Sequence, residues 1–420
     1  MAQRAHLLPS QLILVAIGSP FMFMLESSSL PLWPLLAVAL ALLAPAGLGL
    51  ISTDEDNFAD GGLVLLLAPL LTLIGYAATG FALHFGGIGI IIDHPDLASL
   101  VWEWTPLKEG NLQFWGVAGW MGFGMAQVQS PLAGLLFLAA LPLAMTSSLL
   151  TMITLGKQSS ATLGIIFAAL TALLLAPLTG NWTQGGGWLM HLGQSMGAGD
   201  GYIDFGGASF FLLAGGVALA ALLAWRRSRP ADSISANGKW AVLGLGLLVS
   251  ASVGWNIASP LHLWNGSSPE QSVLHSLLAL AAGGLIGMAY SWFALGEPDA
   301  IWTVRSAAAG WVAALAASPW MTPPQAMLLG AVAAWLFIIA AWLMRELLGW
   351  YDPGDIFSVF GLPSIFGLLT VGIFAPADGQ FRAQLIGSVS IFLLGFFAAS
   401  LYLLLQLGLK KLLGNKEIAE

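Results

Sequence analysis

Long apolar stretches separated by short polar links run through the whole 420-residue chain. Apolar stretches of about 20 residues predict helices that cross a membrane, whereas a transmembrane β-barrel would show alternating stretches of ~10 residues. The pattern predicts eleven spans, at 31–51, 62–85, 132–155, 160–181, 204–225, 239–259, 270–294, 303–319, 325–346, 355–375 and 383–409. The predicted fold class is therefore an all-α polytopic membrane protein.

One further apolar stretch, QLILVAIGSPFMFML at 11–25, has two readings. It follows Arg4, and Gly18, Ser19 and Pro20 interrupt it, so a signal peptide and an extra first helix both remain open. We therefore divide the chain into residues 1–30, which form one of these two, a transmembrane domain over 31–409, and a short cytoplasmic tail at 410–420.

Composition removes several classes of protein. Hydrophobic residues make up 58% of the chain and charged residues only 8%, against about 25% charged in soluble domains, and the mean hydropathy is +0.85. The net charge of −8 and the lack of a basic stripe argue against a nucleic-acid partner. With no cysteine, no phosphate loop and no metal-ligand spacing, we expect no cofactor, no metal site and no enzymatic activity.

Lysine and arginine positions orient the predicted bundle, because these residues concentrate in cytoplasmic loops. If the loop after the first span is cytoplasmic, two of them, Lys108 and Arg382, lie outside. Ten lie inside, at Lys157, Arg226, Arg227, Arg229, Lys239, Arg305, Arg345, Lys410, Lys411 and Lys416. The eleven spans should therefore run from outside at the N-terminus to inside at the C-terminus, in a bacterial inner membrane.

The odd number of spans leaves two five-helix halves of opposite topology and a final helix, the arrangement of an inverted-repeat channel or transporter. Each half has an aspartate at the start of its fifth span, Asp204 in DFGGASFFLL and Asp355 in DIFSVFGLP. Helix capping explains an aspartate at such a position. For Asp355, a carboxylate on an ion pathway is the alternative.

Five segments in collinear order resemble the ammonium transporter family (Amt/Mep/Rh). GYAATGFALHFGG at 75–87 is similar to the family's GYSLAFG, and NWTQGGGWL at 181–189, followed by Asp204 to Gly207, is similar to HWxWGGGWL and its Asp-Phe-x-Gly-Gly. GWNIAS at 254–259 resembles GFNAGS, and the stretch around 296–313 resembles GKPSxxGxxSGAxAGLV. YDPGDIFSVFGLPSIFG from residue 351 resembles DDPxDVFGVHGVxGIxG. The resemblance covers roughly residues 31–409.

The resemblance implies a homotrimer of eleven-helix protomers in a lipid bilayer, each with its own pore. An outer vestibule with an aromatic residue and a serine leads to stacked phenylalanines and then to two pore histidines that carry substrate and proton. At the histidine positions this chain has Leu212 and Phe360. Imidazole is the side chain suited to proton transfer near neutral pH, so the proton relay is lost.

The remaining family positions are only partly kept. The vestibule tryptophan is replaced by Gln184, with Trp182 two residues away, and the vestibule serine corresponds to Ser259. Trp255 takes the inner gate phenylalanine position, next to Asn256.

The outer gate falls near Leu143, with Phe137 as a rival. For His84, His94, His191, His262 and His275 we expect surface or packing roles, although His275 lies inside a span.

These changes predict a channel or transporter that passes a small neutral molecule, ammonia or another gas such as carbon dioxide, through a hydrophobic pore. The alternative is a non-conducting relative that acts as a sensor or an assembly subunit. The tail after residue 409 is too short for an output domain, so a cytoplasmic regulator remains an open partner. Asp204, Asp355 and Asn256 are expected to be structural.

Overall fold

The computed structural model describes residues 32–53, 58–106, 115–126, 128, 130–226, 238–260, 268–375 and 377–412. The stretch at 11–25 and residues 413–420 of the predicted tail lie outside the described residues. Among the described residues, ten helices are long and apolar enough to cross a membrane, and Ala300–Leu315 is a shorter apolar helix. The predicted all-α polytopic membrane fold is confirmed.

Eleven helical spans, α1 to α11, follow one another along the described chain. Four of them contain a π-helical turn, in α2, α4, α9 and α10. The bounds are α1 Leu32–Ala41 with Leu43–Ser52, α2 Phe58–Gly75 with Tyr76–Gly80 and Phe81–Phe85, α3 Pro131–Gln158, α4 Ala161–Leu170 with Thr171–Leu175 and Ala176–Thr183, α5 Ala208–Trp225, α6 Gly238–Ala258, α7 Pro269–Leu295, α8 Ala300–Leu315, α9 Pro323–Trp342 with Leu343–Leu347, α10 Phe357–Gly361 with Leu362–Phe374, and α11 Gln380–Leu412. Each predicted span coincides with one of these helices.

Polar side chains at the helix starts explain why the helices begin where they do. The Ser130 hydroxyl accepts a hydrogen bond from the backbone N–H of Ala133 at the start of α3. Asp299 does the same for Trp302 in α8. These caps satisfy backbone donors that have no partner within the helix.

The links α2–α3 and α4–α5 carry the small elements of the fold. In the first link, the strands β1 Glu103–Trp104 and β2 Ala118–Gly119 pair antiparallel, with Glu103 opposite Gly119. The second contains the short helix Leu192–Met196. The indole of Trp182, in the last turn of α4, donates to the Val117 carbonyl at 2.8 Å, which joins α4 to the first link. The two links lie at the end of the bundle where α5 begins, called here the α5 end; the other end, where α10 begins, is the α10 end.

The helices sort into buried and lipid-facing ones. In α3, 94% of the membrane-length window is buried within the chain, and in α5 78%, whereas α2 and α11 bury only 28%. Exposed side chains such as Phe293 and Ile74 are apolar, as expected of a surface that faces lipid.

Small residues allow the central helices to approach closely. A Cβ added to Gly215 of α5 would lie 2.4 Å from the Cα of Gly361 in α10, so the two backbones touch there. The fifth helix of each half therefore crosses the other at a pair of glycines.

Candidate functional site

A small cavity lies near the α5 end of the bundle, between α1, α3, α6 and the turn before α5. The space open to the centre of a water molecule inside it is about 10 Å³, which is roughly what one water needs. We call it the vestibule cavity; its lining is Ala41, Ala139, Pro142, Leu143, Gly206, Trp255, Ala258 and Ser259.

The vestibule cavity brings together three residues that the sequence singled out, Leu143, Trp255 and Ser259. The rival Phe137 packs instead against Tyr76 and Phe81, with ring centroids 5.5 and 6.1 Å apart. Leu143, and not Phe137, therefore lies beside Trp255.

Two residues expected at the vestibule, Trp182 at the end of α4 and Gln184 just after it, do not line this cavity. Trp182 is half-buried, and its indole is held by the Val117 carbonyl. Gln184 is fully buried, and neither atom of its amide has a hydrogen-bond partner among the described residues. Trp255 is therefore the one aromatic residue in the lining of this cavity.

The polar groups of the vestibule cavity are already engaged by the backbone. The indole N–H of Trp255 donates to the Gly206 carbonyl at 2.7 Å, and the Ser259 hydroxyl donates to the Phe205 carbonyl. Both bonds join α6 to the turn that leads into α5. They fix Trp255 as the floor of the cavity and leave its indole N–H committed to the protein.

Beyond this floor, four aromatic rings from four different helices meet. We call Phe211 of α5, Trp255 of α6, Trp311 of α8 and Phe360 of α10 the aromatic cluster. Phe211 lies 6.0 Å from Trp255, 5.8 Å from Trp311 and 5.8 Å from Phe360, measured between ring centroids. Trp255 and Trp311 are 5.4 Å apart. These are direct ring contacts, so the rings fill the space next to the vestibule cavity.

Sequence reasoning missed Trp311. Its side chain is fully buried, and its indole N–H donates to the Ser252 hydroxyl at 2.9 Å. Two signals could have found it. It stands where the quoted motif GKPSxxGxxSGAxAGLV has leucine, and it is the one bulky side chain in the run AAAGWVAA.

Asp204 organises the start of α5 from just outside the helix. The helix begins at Ala208, and the Asp204 carboxylate accepts hydrogen bonds from the backbone N–H groups of Ala208 at 2.9 Å and Ser209 at 2.7 Å. Burial raises the pKa of Asp204, and these hydrogen bonds oppose the rise. The aspartate is thus a cap, and the helix begins at Ala208, four residues after the start that the sequence predicted.

The expectation that Asp355 caps α10 in the same way is wrong, because that role belongs to Asp352. The Asp352 carboxylate accepts hydrogen bonds from the backbone N–H groups of Phe357 at 3.2 Å and Ser358 at 3.0 Å. Burial and the nearby carboxylate of Asp355 raise the pKa of Asp352. The fifth helix of the first half, α5, is therefore capped by Asp204, and the fifth helix of the second half, α10, is capped by Asp352.

Asp355 is instead an ion-pair partner at the α10 end. One carboxylate oxygen contacts the guanidinium groups of Arg305 at 2.6 Å and Arg345 at 2.5 Å. Arg305 also donates to the Ile51 carbonyl at 3.2 Å. These bonds join α1, α8, α9 and the start of α10, so the described contacts of Asp355 are those of a structural residue.

Comparison with known proteins then decides the family. Residues 32–414 match the family model of the Ammonium Transporter Family. The chain belongs to the ammonium transporter family. Ammonium transporter Amt2 of Archaeoglobus fulgidus is 26% identical over 375 residues, which cover 85% of this chain and 74% of that protein.

Solved structures of the same fold agree with this assignment. The structure titled Sensor Amt Protein has a TM-score of 0.73 at 22% identity and covers 90% of this chain and 92% of its own. Candida albicans Mep2 has a TM-score of 0.69 at 20% identity and covers 89% of this chain and 83% of its own. The ammonium transporter resemblance read from the sequence is confirmed.

Within this ammonium transporter fold, the histidines of the described chain serve local contacts. The imidazole of His84 is hydrogen-bonded to the Tyr76 hydroxyl at 2.7 Å, and that of His275 to the Ser318 carbonyl at 2.7 Å. His94 accepts from the backbone N–H of Asp96, and burial lowers the pKa of His191. None of these four belongs to the vestibule cavity or the aromatic cluster. His262 lies outside the described residues.

The other residues that the resemblance singled out are apolar or make structural hydrogen bonds. Leu212 and Phe360 are both fully buried in the core. The Asn256 amide donates to the Ser252 carbonyl at 2.8 Å and accepts from the Ser276 hydroxyl at 3.2 Å, which joins α6 to α7. Among the described residues, no group of three or more His, Cys, Asp or Glu could hold a metal ion.

Proposed function

We propose that this ammonium transporter family member passes a small uncharged molecule, ammonia or another gas such as carbon dioxide, and excludes the ammonium ion. One observation carries the proposal: every side chain that lines the vestibule cavity is apolar or aromatic except Ser259, and the aromatic cluster beside it has no ionisable member. The family's pore histidines correspond to Leu212 and Phe360.

The energetics exclude a bare cation from this route. Moving an ion from water into a hydrocarbon-like interior has an idealised cost of order 20 kcal/mol, which relaxation reduces to several. A desolvated cation–π contact returns ~2 kcal/mol, and the floor of the vestibule cavity offers one such ring, Trp255. A proton cannot be handed on, because neither leucine nor phenylalanine donates or accepts hydrogen bonds. An uncharged solute avoids the cost altogether.

The assembly and its orientation complete the proposal. We place a homotrimer in the bacterial inner membrane, with the α5 end outside and the α10 end in the cytoplasm, as the lysine and arginine distribution indicates.

A second function, a sealed sensor or assembly subunit, has one observation in its favour. All four members of the aromatic cluster are buried, with exposed fractions of 0 to 3%, and the rings touch. One similar structure is titled Sensor Amt Protein. In this alternative a ligand would reach the vestibule cavity and go no further.

Transport by the purified protein in proteoliposomes tests both functions. On a solid-supported membrane, ammonium chloride should evoke no current. In stopped-flow measurements, vesicles containing the protein should take up ammonia or carbon dioxide faster than protein-free vesicles of the same lipid. An ammonium-evoked current would contradict the proposal. Uptake equal to that of empty vesicles for both gases would support the sealed alternative.

A further inference from the structure

Trp311 is the one large side chain in a stretch of α8 that otherwise has small side chains, residues 307–314. Between Ser306 and Leu315, α8 otherwise consists of alanine, glycine and one valine, Val312. This stretch of α8 is fully buried. The indole is therefore the only part of this stretch of α8 large enough to occupy space between the neighbouring helices.

We infer that Trp311 is the steric determinant of passage in this protein: its indole narrows the space between α5, α6 and α10 for solutes that arrive from the vestibule cavity. The inference deepens the proposed function and rests on it only in taking the aromatic cluster as the route.

The contacts of the indole place it in that position. Trp255 forms the floor of the vestibule cavity, and Trp311 meets Trp255 edge to face, with ring centroids 5.4 Å apart. Trp311 also meets Phe211 edge to face at 5.8 Å. Phe211 in turn lies 6.0 Å from Trp255 and stacks on Phe360. A solute that passes Trp255 therefore encounters Trp311 and Phe211 next.

One hydrogen bond fixes the orientation of the indole. Its N–H donates to the Ser252 hydroxyl at 2.9 Å, and both residues are fully buried. A buried donor without an acceptor is costly, so the indole cannot swing aside without losing this bond. Ser252 itself lies on α6, one turn from Trp255, and so joins α8 to the helix that carries the cavity floor.

A smaller residue at position 311 should open the route, because no neighbouring side chain on α8 is large enough to replace the indole. Buried apolar voids of this kind stay dry and bind benzene or xenon. The test variant is Trp311→Leu, which introduces the residue of the quoted family motif. The matched control is Trp302→Leu, also on α8, where the half-buried indole packs against Tyr290 and Phe337 and away from the cluster.

Two readouts apply to the same variants. In stopped-flow ammonia uptake, corrected for protein-free vesicles, Trp311→Leu should be about tenfold faster than the unmodified protein, the effect of a barrier lowered by ~1.4 kcal/mol. Trp302→Leu should match the unmodified protein. Crystals of Trp311→Leu under xenon should show a xenon peak beside Phe211 that the unmodified protein lacks. Ser252→Ala, which frees the indole without removing it, should give a smaller rise in uptake.

The outcomes separate this inference from the proposed function. If the unmodified protein takes up no gas and Trp311→Leu does, the inference stands and the native protein is sealed. If the unmodified protein conducts and neither Trp311→Leu nor Ser252→Ala conducts faster, the inference is overturned and the proposed function survives. A xenon peak beside Phe211 without a gain in uptake also overturns it, since the void would then lie off the route.

Discussion

Replacing Arg305 with leucine should destabilise the fold by about 3–5 kcal/mol, the usual cost of removing one partner from a buried ion pair. The guanidinium of Arg305 contacts the Asp355 carboxylate at 2.6 Å, and the two side chains are only 3% and 4% exposed. Its loss leaves the Asp355 charge buried and the Ile51 carbonyl without this donor. Native proteins are stable by only 5–15 kcal/mol, so the effect would be large.

Arg345 provides a matched control, because it contacts the same carboxylate oxygen. Its side chain is 33% exposed, and ion pairs in contact with solvent contribute about 0–1 kcal/mol. We therefore expect Arg345→Leu to cost several-fold less than Arg305→Leu. The charge, the partner atom and the substitution are the same in the two variants, which differ in burial and in the bond that Arg305 donates to the Ile51 carbonyl.

The cost of Arg305→Leu should come mainly from the charge left behind. If so, adding Asp355→Asn to that variant removes the charge and should recover ~1–3 kcal/mol, although Asp355→Asn alone destabilises. Equilibrium unfolding in detergent can be followed by the fluorescence of the 18 tryptophans, and the lack of cysteine means that thiol-reactive dyes would give no signal. Equal losses for the two arginine variants, or a double variant less stable than Arg305→Leu, would refute the reasoning.

Three further substitutions test other parts of the structure. Asp204→Ala should cost about 1–3 kcal/mol, because two buried N–H groups lose their acceptor, and Asp204→Asn should cost less; equal unfolding midpoints would contradict the cap. Burial raises the pKa of Glu103 from 4.5 to about 7. The folded state therefore binds the proton more tightly than the unfolded chain, and stability should fall as the pH rises from about 4.5 to about 7. Glu103→Gln should remove this dependence and raise the melting temperature at pH 8 but not at pH 4; a parallel pH profile would refute it. Gly215→Ala should lower stability, because its Cβ would lie 2.4 Å from the Gly361 Cα, while Gly246→Ala, which has open space around it, should not; thermal unfolding of the pair decides this.

The helices could be predicted from the sequence because their ends carry local signals. Apolar stretches of membrane length stop at residues such as Ser130 and Asp299, whose side chains cap the next helix, and these signals need no knowledge of distant contacts. Trp255 and Ser259, which line one cavity, were both singled out from the motif GWNIAS, whereas no quoted motif covers Leu143 and the sequence left Phe137 as its rival.

What sequence reasoning could not supply was the direction of side chains across the bundle. The assignment of the second cap to Asp355 failed because the backbone before α10 turns through left-handed conformations at Gly354 and Asp355, with φ of 65° and 51°. This turn brings Asp352 to the helix start. Trp311 was missed because its contacts come from α5 and α6, far away in the chain.

The glycine crossing of α5 and α10 limits how the two halves can move. Where the backbones touch at Gly215 and Gly361, there is no side chain to repack, and pulling the helices apart would leave an empty seam in a dense interior. A change in the crossing angle of α5 and α10 about this contact keeps the two backbones together and avoids that seam. Phe211 and Phe360 lie four residues and one residue from the pivot, so a small change of angle shifts Phe211 more than Phe360 and shears the rings past each other.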